Sequence, residues 1–387
     1  MQGPELDASL RDWLRLSLTP GVGHLTSRKL LTAFGPPEGL WSQPLSALRQ
    51  VVSEAQAKAL LQVPDDLESQ WVLLRQWLSG GDSRHVLTLA DAAYPPDLLH
   101  IPDPPLLLYA QGQLQWLRDG VRLAMVGSRN PTAQGLQTAR DFAHSLATQG
   151  VCIVSGMALG VDGAAHEGAL SGGGGTVAVV GTGLDRVYPR QHRDLAHRIA
   201  EHGVILSEYP LGTPAHASNF PKRNRLIAGL TQGTLVVEAA LASGSLITAR
   251  CAADMGKDVF AIPGSIHSPQ SRGCHSLIRQ GAKLVETVQD VMEELRGMPS
   301  SPRSRSPGGD PFQDADGRES TGSDEVASMH QTDPLLDALG HDPVGLDALQ
   351  ARTGWPTAAL QARLLELELD GDVARLPGGL FQRVICA

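Results

Sequence analysis

The sequence is short of the features that would mark it as secreted, membrane-bound or metal-dependent. Its four cysteines, Cys152, Cys251, Cys274 and Cys386, are far apart and form no C-x-x-C pair. Neither a disulfide framework nor a zinc site is encoded, and buried structural thiols are the expected state. No apolar run reaches the roughly eighteen residues of a membrane span. The opening MQGPELDASLRDW is acidic and lacks the basic and apolar regions of a signal peptide, so a cytoplasmic location without membrane contact is expected. Positive charge is not in excess either. Against 32 basic residues stand 41 acidic ones, a net charge of −9, which excludes coating DNA by bulk charge.

Two nucleotide motifs are also missing. No G-x-G-x-x-G follows the first core strand, and the second strand ends in Ser155 rather than a ribose-binding acid. No G-x-x-x-x-G-K-[ST] occurs, so ATP-driven work is not supported. No cofactor, metal or catalytic group is therefore expected.

The acid is unevenly spread. Residues 84–296 carry 18 basic and 18 acidic groups, whereas 332–387 carry 4 and 8. A nucleic-acid site must then be a local patch within the neutral middle segment. Composition divides the chain into a helical segment, 1–83, an α/β core, 84–296, a disordered linker, 297–331, and a small C-terminal unit, 332–387. From Gly297 to Asp333, 16 of 37 residues are Pro, Ser or Gly, too few apolar groups to support a core. Beyond it the order is that of a winged helix: helices over Pro334–Leu339, Leu346–Thr353 and Pro356–Leu369, then strands Val373–Leu376 and Leu380–Val384. Asp370-Gly371 makes the hairpin-type turn. Arg363 is the only cation on the third helix, against Glu366, Glu368 and Asp370. Protein contact or dimerisation is favoured over reading a duplex there, since phosphate contacts supply most DNA affinity.

Residues 1–80 read as helical. Leu18–Leu31 has the pattern of a helix-hairpin-helix, but Leu25 stands where that motif often has lysine. A structural hairpin and a DNA clamp both remain open. In the core, near-continuous Val and Ile strands alternate with helices: Val121–Val126, Val151–Val154, Thr176–Val180, Val204–Leu206, Leu235–Val237, Val259–Ile262 and Lys283–Val285. This predicts a doubly wound, mostly parallel sheet of Rossmann-like type.

Ligands in such folds bind where strands end. Gly127-Ser128-Arg129, Ser155-Gly156, Gly181-Thr182-Gly183 and Ser243-Gly244-Ser245 all occupy such loops. Any one of them is as readily a tight turn. The run FPKRNRLIAG, Phe220 to Gly229, changes the balance. Lys222, Arg223 and Arg225 fall within four positions with no acid among them, and Asn224 lies between the two arginines. Cations opening a helix suit a phosphate chain, and Phe220 offers a face for a base. With Arg129 and Arg190 these loops read as an anion groove for a nucleic acid or a nucleotide. Asp162 and His166, four apart, read as a capping acid and a hydrogen-bonded histidine before a metal or acid–base pair. Glu238, at a strand end, could orient Arg225 or act as a base.

Seven segments in order, AMVGSRNPTAQG, SGMALGVDGAAH, GTGLDRVYP, SEYPLG, FPKRNRLIAGL, VVEAALASGSLITA and Pro263-Gly264, resemble the DprA/Smf family of DNA-processing proteins. The likeness spans about residues 85–290. It implies a Rossmann-like core that binds single-stranded DNA without turnover, protects incoming strands in natural transformation and loads RecA on them past single-strand-binding protein. It also implies a homodimer formed through the core. DNA contact is placed on Gly127, Ser128, Arg129, Arg190, Phe220, Arg223, Asn224 and Arg225, beside the loop residues Ser155, Gly156, Ser243 and Gly244 and the neighbouring Lys222. Alanine at Arg129, Arg223 or Arg225 is expected to weaken binding without unfolding the chain. The alternative is a phosphoribohydrolase-like nucleotide hydrolase, whose P-G-G-x-G-T loop is replaced here by SGSLIT.

Overall fold

The computed structural model describes residues 4–297, 333–339, 344–376 and 379–383. The expected linker lies outside these residues except for Gly297, as does Cys386. Helices come first: α1 (Pro4–Leu18), α2 (His24–Phe34), α3 (Pro37–Leu40), α4 (Leu45–Leu48), α5 (Glu54–Leu61) and α6 (Leu67–Leu78). Local chemistry sets some of these boundaries. Ser53 and Gln56 form a reciprocal capping box that starts α5.

Strands and helices then alternate. They are β1 (Arg84–Thr88), β2 (Leu107–Gly112), β3 (Arg122–Val126), α7 (Ala133–Thr148), β4 (Cys152–Ser155), α8 (Val161–Ser171), β5 (Thr176–Val179) and α9 (Arg193–His202). There follow β6 (Val204–Ser207), α10 (Asn219–Gly229), β7 (Gly233–Val236), α11 (Ser245–Asp254), β8 (Asp258–Ala261), α12 (Arg272–Arg279), β9 (Lys283–Leu284) and α13 (Val288–Gly297). The sheet order is β1-β2-β6-β5-β4-β3-β7-β8-β9. From β6 to β9 every pairing is parallel. Every residue of β3 to β7 is buried, as expected of strands covered on both faces.

One edge departs from the sequence expectation. β2 runs antiparallel to both β1 and β6. β1 is only half-buried at Arg84, His85 and Val86, so it lacks the apolar run by which the other strands declare themselves. This edge seats the helices. Leu106, Leu107 and Tyr109 share a core with Trp13, Leu14, Leu30, Leu74 and Trp77, and Trp77 meets Tyr109 edge-on with ring centroids 6.3 Å apart. Among the described residues no helix is long and apolar enough to cross a membrane.

His166 on α8 is fully buried, and its Nδ1 lies 2.7 Å from the Thr176 hydroxyl. This is the hydrogen-bonded histidine expected from the sequence. Burial, with His192 and Arg223 nearby, pushes its pKa down to about 3. The folded state therefore holds His166 neutral. Its contribution to stability is present above the unfolded pKa of about 6.5 and is lost as pH falls from there toward the folded value, by about 1.4 kcal/mol per unit. His166→Gln should flatten the dependence of stability on pH between about 6.5 and 4. Denaturant unfolding of both proteins across that range checks it; parallel curves would refute it.

The second compact unit begins at Glu293. Its winged helix comprises α14 (Pro334–Leu339), β10 (Val344–Gly345), α15 (Leu346–Thr353), α16 (Thr357–Leu369), β11 (Val373–Leu376) and β12 (Leu380–Arg383), with antiparallel order β10-β12-β11. Gly354 ends α15 at φ 67°, a conformation that glycine adopts without strain. Leu335, Leu349, Leu360, Leu364, Leu367 and Val373 form its core.

Candidate nucleic-acid interface

The sheet has a switch point between β3 and β7. These strands are parallel neighbours, but the chain leaves β3 toward β4 and leaves β7 toward β8, on opposite sides. Loops that diverge from adjacent strand ends leave a crevice between them. A cleft of about 670 Å³ opens there, and α10 supplies its third wall.

Backbone and carboxylate tie the two loops together. Ser128 N–H donates to the Glu238 carbonyl at 2.7 Å. Glu238 accepts from Thr132 N–H at 2.9 Å and from its hydroxyl at 2.6 Å, while Thr132 caps α7 by accepting from Gly135 N–H. A Cβ on Gly135 would land on the Glu238 carboxylate. Glu238 is thus a buttress for the β3 loop, and it does not orient Arg225.

Of the residues singled out in sequence, Gly127, Ser128, Arg129, Phe220, Arg223, Asn224, Ser243 and Gly244 line the cleft. Asn224 Nδ2 donates to the Gly244 carbonyl at 3.3 Å and joins α10 to the β7 loop. Gly244 begins α11 without a side-chain cap of its own, and the first N–H groups of that helix are engaged locally: Ser245 with the Ser243 hydroxyl at 3.4 Å, and Leu246 and Ile247 with the Ser243 and Gly244 carbonyls at 3.2 and 3.1 Å. Arg129 is exposed. Its guanidinium lies 5.6 Å from the Phe220 ring centroid, and it has no ion-pair partner among the described residues. Gly156 lines a side cavity of about 110 Å³ together with Arg129, Phe220 and Arg223. Ser155 lies beneath, fully buried, donating to the Met125 carbonyl at 2.6 Å.

The basic cluster is not one patch. Successive helical residues turn by about 100°, so neighbours in sequence face different directions. Lys222 and, outside α10, Arg190 are exposed but do not line the cleft. Arg223 is 4% exposed; Nη1 donates to the Val179 carbonyl and Nε has no partner. Burial pushes its pKa down to about 10, opposed by nearby Asp162, so it remains a cation at neutral pH. Asp162 is itself raised by burial, and it accepts from Gly156 and Ala158 N–H at 3.1 and 3.2 Å. Arg225 points elsewhere. It pairs with Asp103 at 2.8 Å and with Glu208, and it does not line the cleft. These placements change what alanine should do at Arg223 and Arg225, where the charge is engaged inside the fold.

Sequence reasoning passed over some of the lining. Tyr188 lies 5.5 Å from Phe220 at an interplanar angle of 33° and is 49% exposed. Met157, at φ 59°, is the only non-glycine residue with positive φ among those described, and it walls the side cavity. Gln270 and Thr248 complete the far side. Tyr188 could have been noticed as an aromatic in a loop; nothing in the sequence marks Met157.

A Rossmann-like core with its cleft at the switch point, joined to a winged helix, defines the class of protein. Comparison with known families narrows it: the chain belongs to the DNA recombination-mediator protein A family, whose model matches residues 85–296. The DprA winged helix domain matches residues 322–379. Protein Smf of Escherichia coli (strain K12) is 41% identical over 330 residues, covering 84% of this chain and 83% of that one. The solved structure of DNA processing protein A from Streptococcus pneumoniae is 37% identical with a TM-score of 0.63, covering 73% of this chain and 95% of its own. DNA processing protein A from Helicobacter pylori, solved in work on its single-stranded DNA binding mode, is 33% identical with a TM-score of 0.50 and covers 55% and 96%.

Proposed function

We propose that the protein binds single-stranded DNA in the switch-point cleft and serves as a recombination mediator in natural transformation. The observation that carries this is the Arg129 guanidinium over Phe220, exposed in the cleft and without an ion-pair partner among the described residues. A cation beside an accessible ring face suits a phosphate chain with exposed bases. The work on the Helicobacter pylori relative supports the same ligand. Glu238, the strand-end acid that a hydrolase would use, is occupied by Thr132, which favours binding without turnover.

In this reading the protein acts in the cytoplasm, shields incoming strands, and places RecA on them in competition with single-strand-binding protein. It works as a homodimer. Exposed Leu241 (61%) and Ile266 (75%), on the loops after the adjacent strands β7 and β8, are apolar surface that a second copy would cover. Fluorescence anisotropy with single- and double-stranded oligonucleotides of several lengths tests the ligand. Equal affinity for both would sink it. Faster RecA assembly on strands coated with single-strand-binding protein tests the mediator role.

The winged helix should contribute little to this affinity. Residues 332–387 carry 4 basic against 8 acidic groups, and removing them should leave single-strand binding within about twofold. A tenfold loss in the same titration would show otherwise.

A further inference from the structure

The third helix of the winged helix has two apolar seams. Leu360, Leu364 and Leu367 are buried in the unit's own core. Ala358, Ala362, Leu365 and Leu369 are all exposed, the leucines to 57% and 80%. At about 100° per residue these four fall within a sector of about 60°, diametrically opposite the buried three. Their 4-3-4 spacing is the a/d pattern by which one helix packs along another.

The flanks carry one sign of charge. Glu366 borders the seam on one side and Glu368 on the other, with Asp370 following at the helix end. Glu366 shares its charge with Arg363 at 2.6 Å, whereas Glu368 and Asp370 have no ion-pair partner among the described residues. Acids in the last turn oppose the helix dipole, so they do not serve the helix's own stability. A DNA backbone would be repelled by them. A second copy of α16 packed in parallel would set acid against acid, and packed antiparallel it would leave Glu368 and Asp370 facing Ala359 and Thr357 with no counter-charge.

We propose that this seam docks an amphipathic helix of another protein, with apolar residues at the same 4-3-4 spacing and Lys or Arg at its flanks. The seam spans three turns, about 16 Å, which sets the length of the contact. The winged helix is then a protein-recruiting module attached to the core.

The test uses the full chain and two labelled synthetic helical peptides with identical leucine seams, one flanked by lysines and the other by glutamates. The lysine-flanked peptide should bind saturably and at least about tenfold more tightly. Leu365→Asp combined with Leu369→Asp should weaken it about tenfold or more, although the change adds negative charge; a purely electrostatic contact would strengthen instead. Glu368→Lys with Asp370→Lys should reverse the order of the two peptides. These side chains are exposed, and unchanged thermal unfolding confirms that each variant folds. Equal affinity for both peptides, or no effect of the leucine variant, overturns the proposal. So does duplex binding or self-association that the leucine variant abolishes, since the seam would then belong to DNA or to a second copy.

Discussion

Arg225→Ala is expected to lower folding stability by about 3–5 kcal/mol, a fall of about 10 °C in melting temperature. Arg225 is the counter-charge for Asp103 and for Glu208, whose side chain is only 6% exposed. Deleting it leaves a buried carboxylate with only His24, 3.6 Å away and itself pushed toward the neutral form by burial, and the more remote Lys222 to offset it, which costs more than the pair itself contributes. The loss should depend on pH. Burial already raises Glu208 above the usual carboxylate range, and Arg225 is the chief influence drawing it back. In the variant the folded-state pKa lies above the unfolded one, so this group's contribution is present below the unfolded pKa and disappears as pH rises through the folded value. The destabilisation should be full at neutral pH and shrink toward about pH 4. Thermal unfolding of both proteins at several pH values measures it. A loss of single-strand affinity at unchanged stability would instead return Arg225 to the DNA contact.

Phe220→Ala and Arg129→Ala should act on binding and leave the fold intact. A base–aromatic stack contributes about 1–3 kcal/mol, so Phe220→Ala should weaken single-strand affinity by about tenfold to a hundredfold. Arg129→Ala should reduce the salt dependence, lowering the slope of log K against log salt by about 0.7 for one lost phosphate contact. Neither side chain is buried, and Arg129 has no ion pair to lose. Titrations across a salt series separate the two: the phenylalanine variant should shift the line, whereas the arginine variant should also tilt it. Wild-type affinity in both variants would remove the cleft as the binding site. Phe220 meets Arg129 and Tyr188, so these are the two side chains that a base stacked on the ring would contact or displace.

The sheet was legible because its central strands are buried on both faces and carry unbroken apolar runs. The winged helix was legible from Gly354, Pro356 and Asp370-Gly371, each a local signal of a stop, a start or a turn. β1 was missed for the complementary reason, since an edge strand such as Arg84–Thr88 shows no such run, whereas β2 has the run but not the following α-helix by which the parallel strands announce themselves. The site divides along the same line. Strand-end loops such as Gly127-Ser128-Arg129 announce themselves by composition. The destinations of Arg223 and Arg225 do not, because Asp103, Asp162, Val179 and Glu208 reach them from other elements of the fold. A helix also separates in space what is adjacent in sequence, which is why FPKRNR looked like one patch.

The antiparallel edge has a practical consequence for anyone who would isolate the Rossmann-like core. A fragment beginning at residue 84 would carry Leu106, Leu107, Tyr109 and Leu211 stripped of the helices that cover them. Such a fragment should be prone to aggregate, so a weakness in its DNA binding would count as a lost contact only if the fragment stayed monodisperse. The first eighty residues are the keel of the molecule, and a workable dissection has to cut elsewhere.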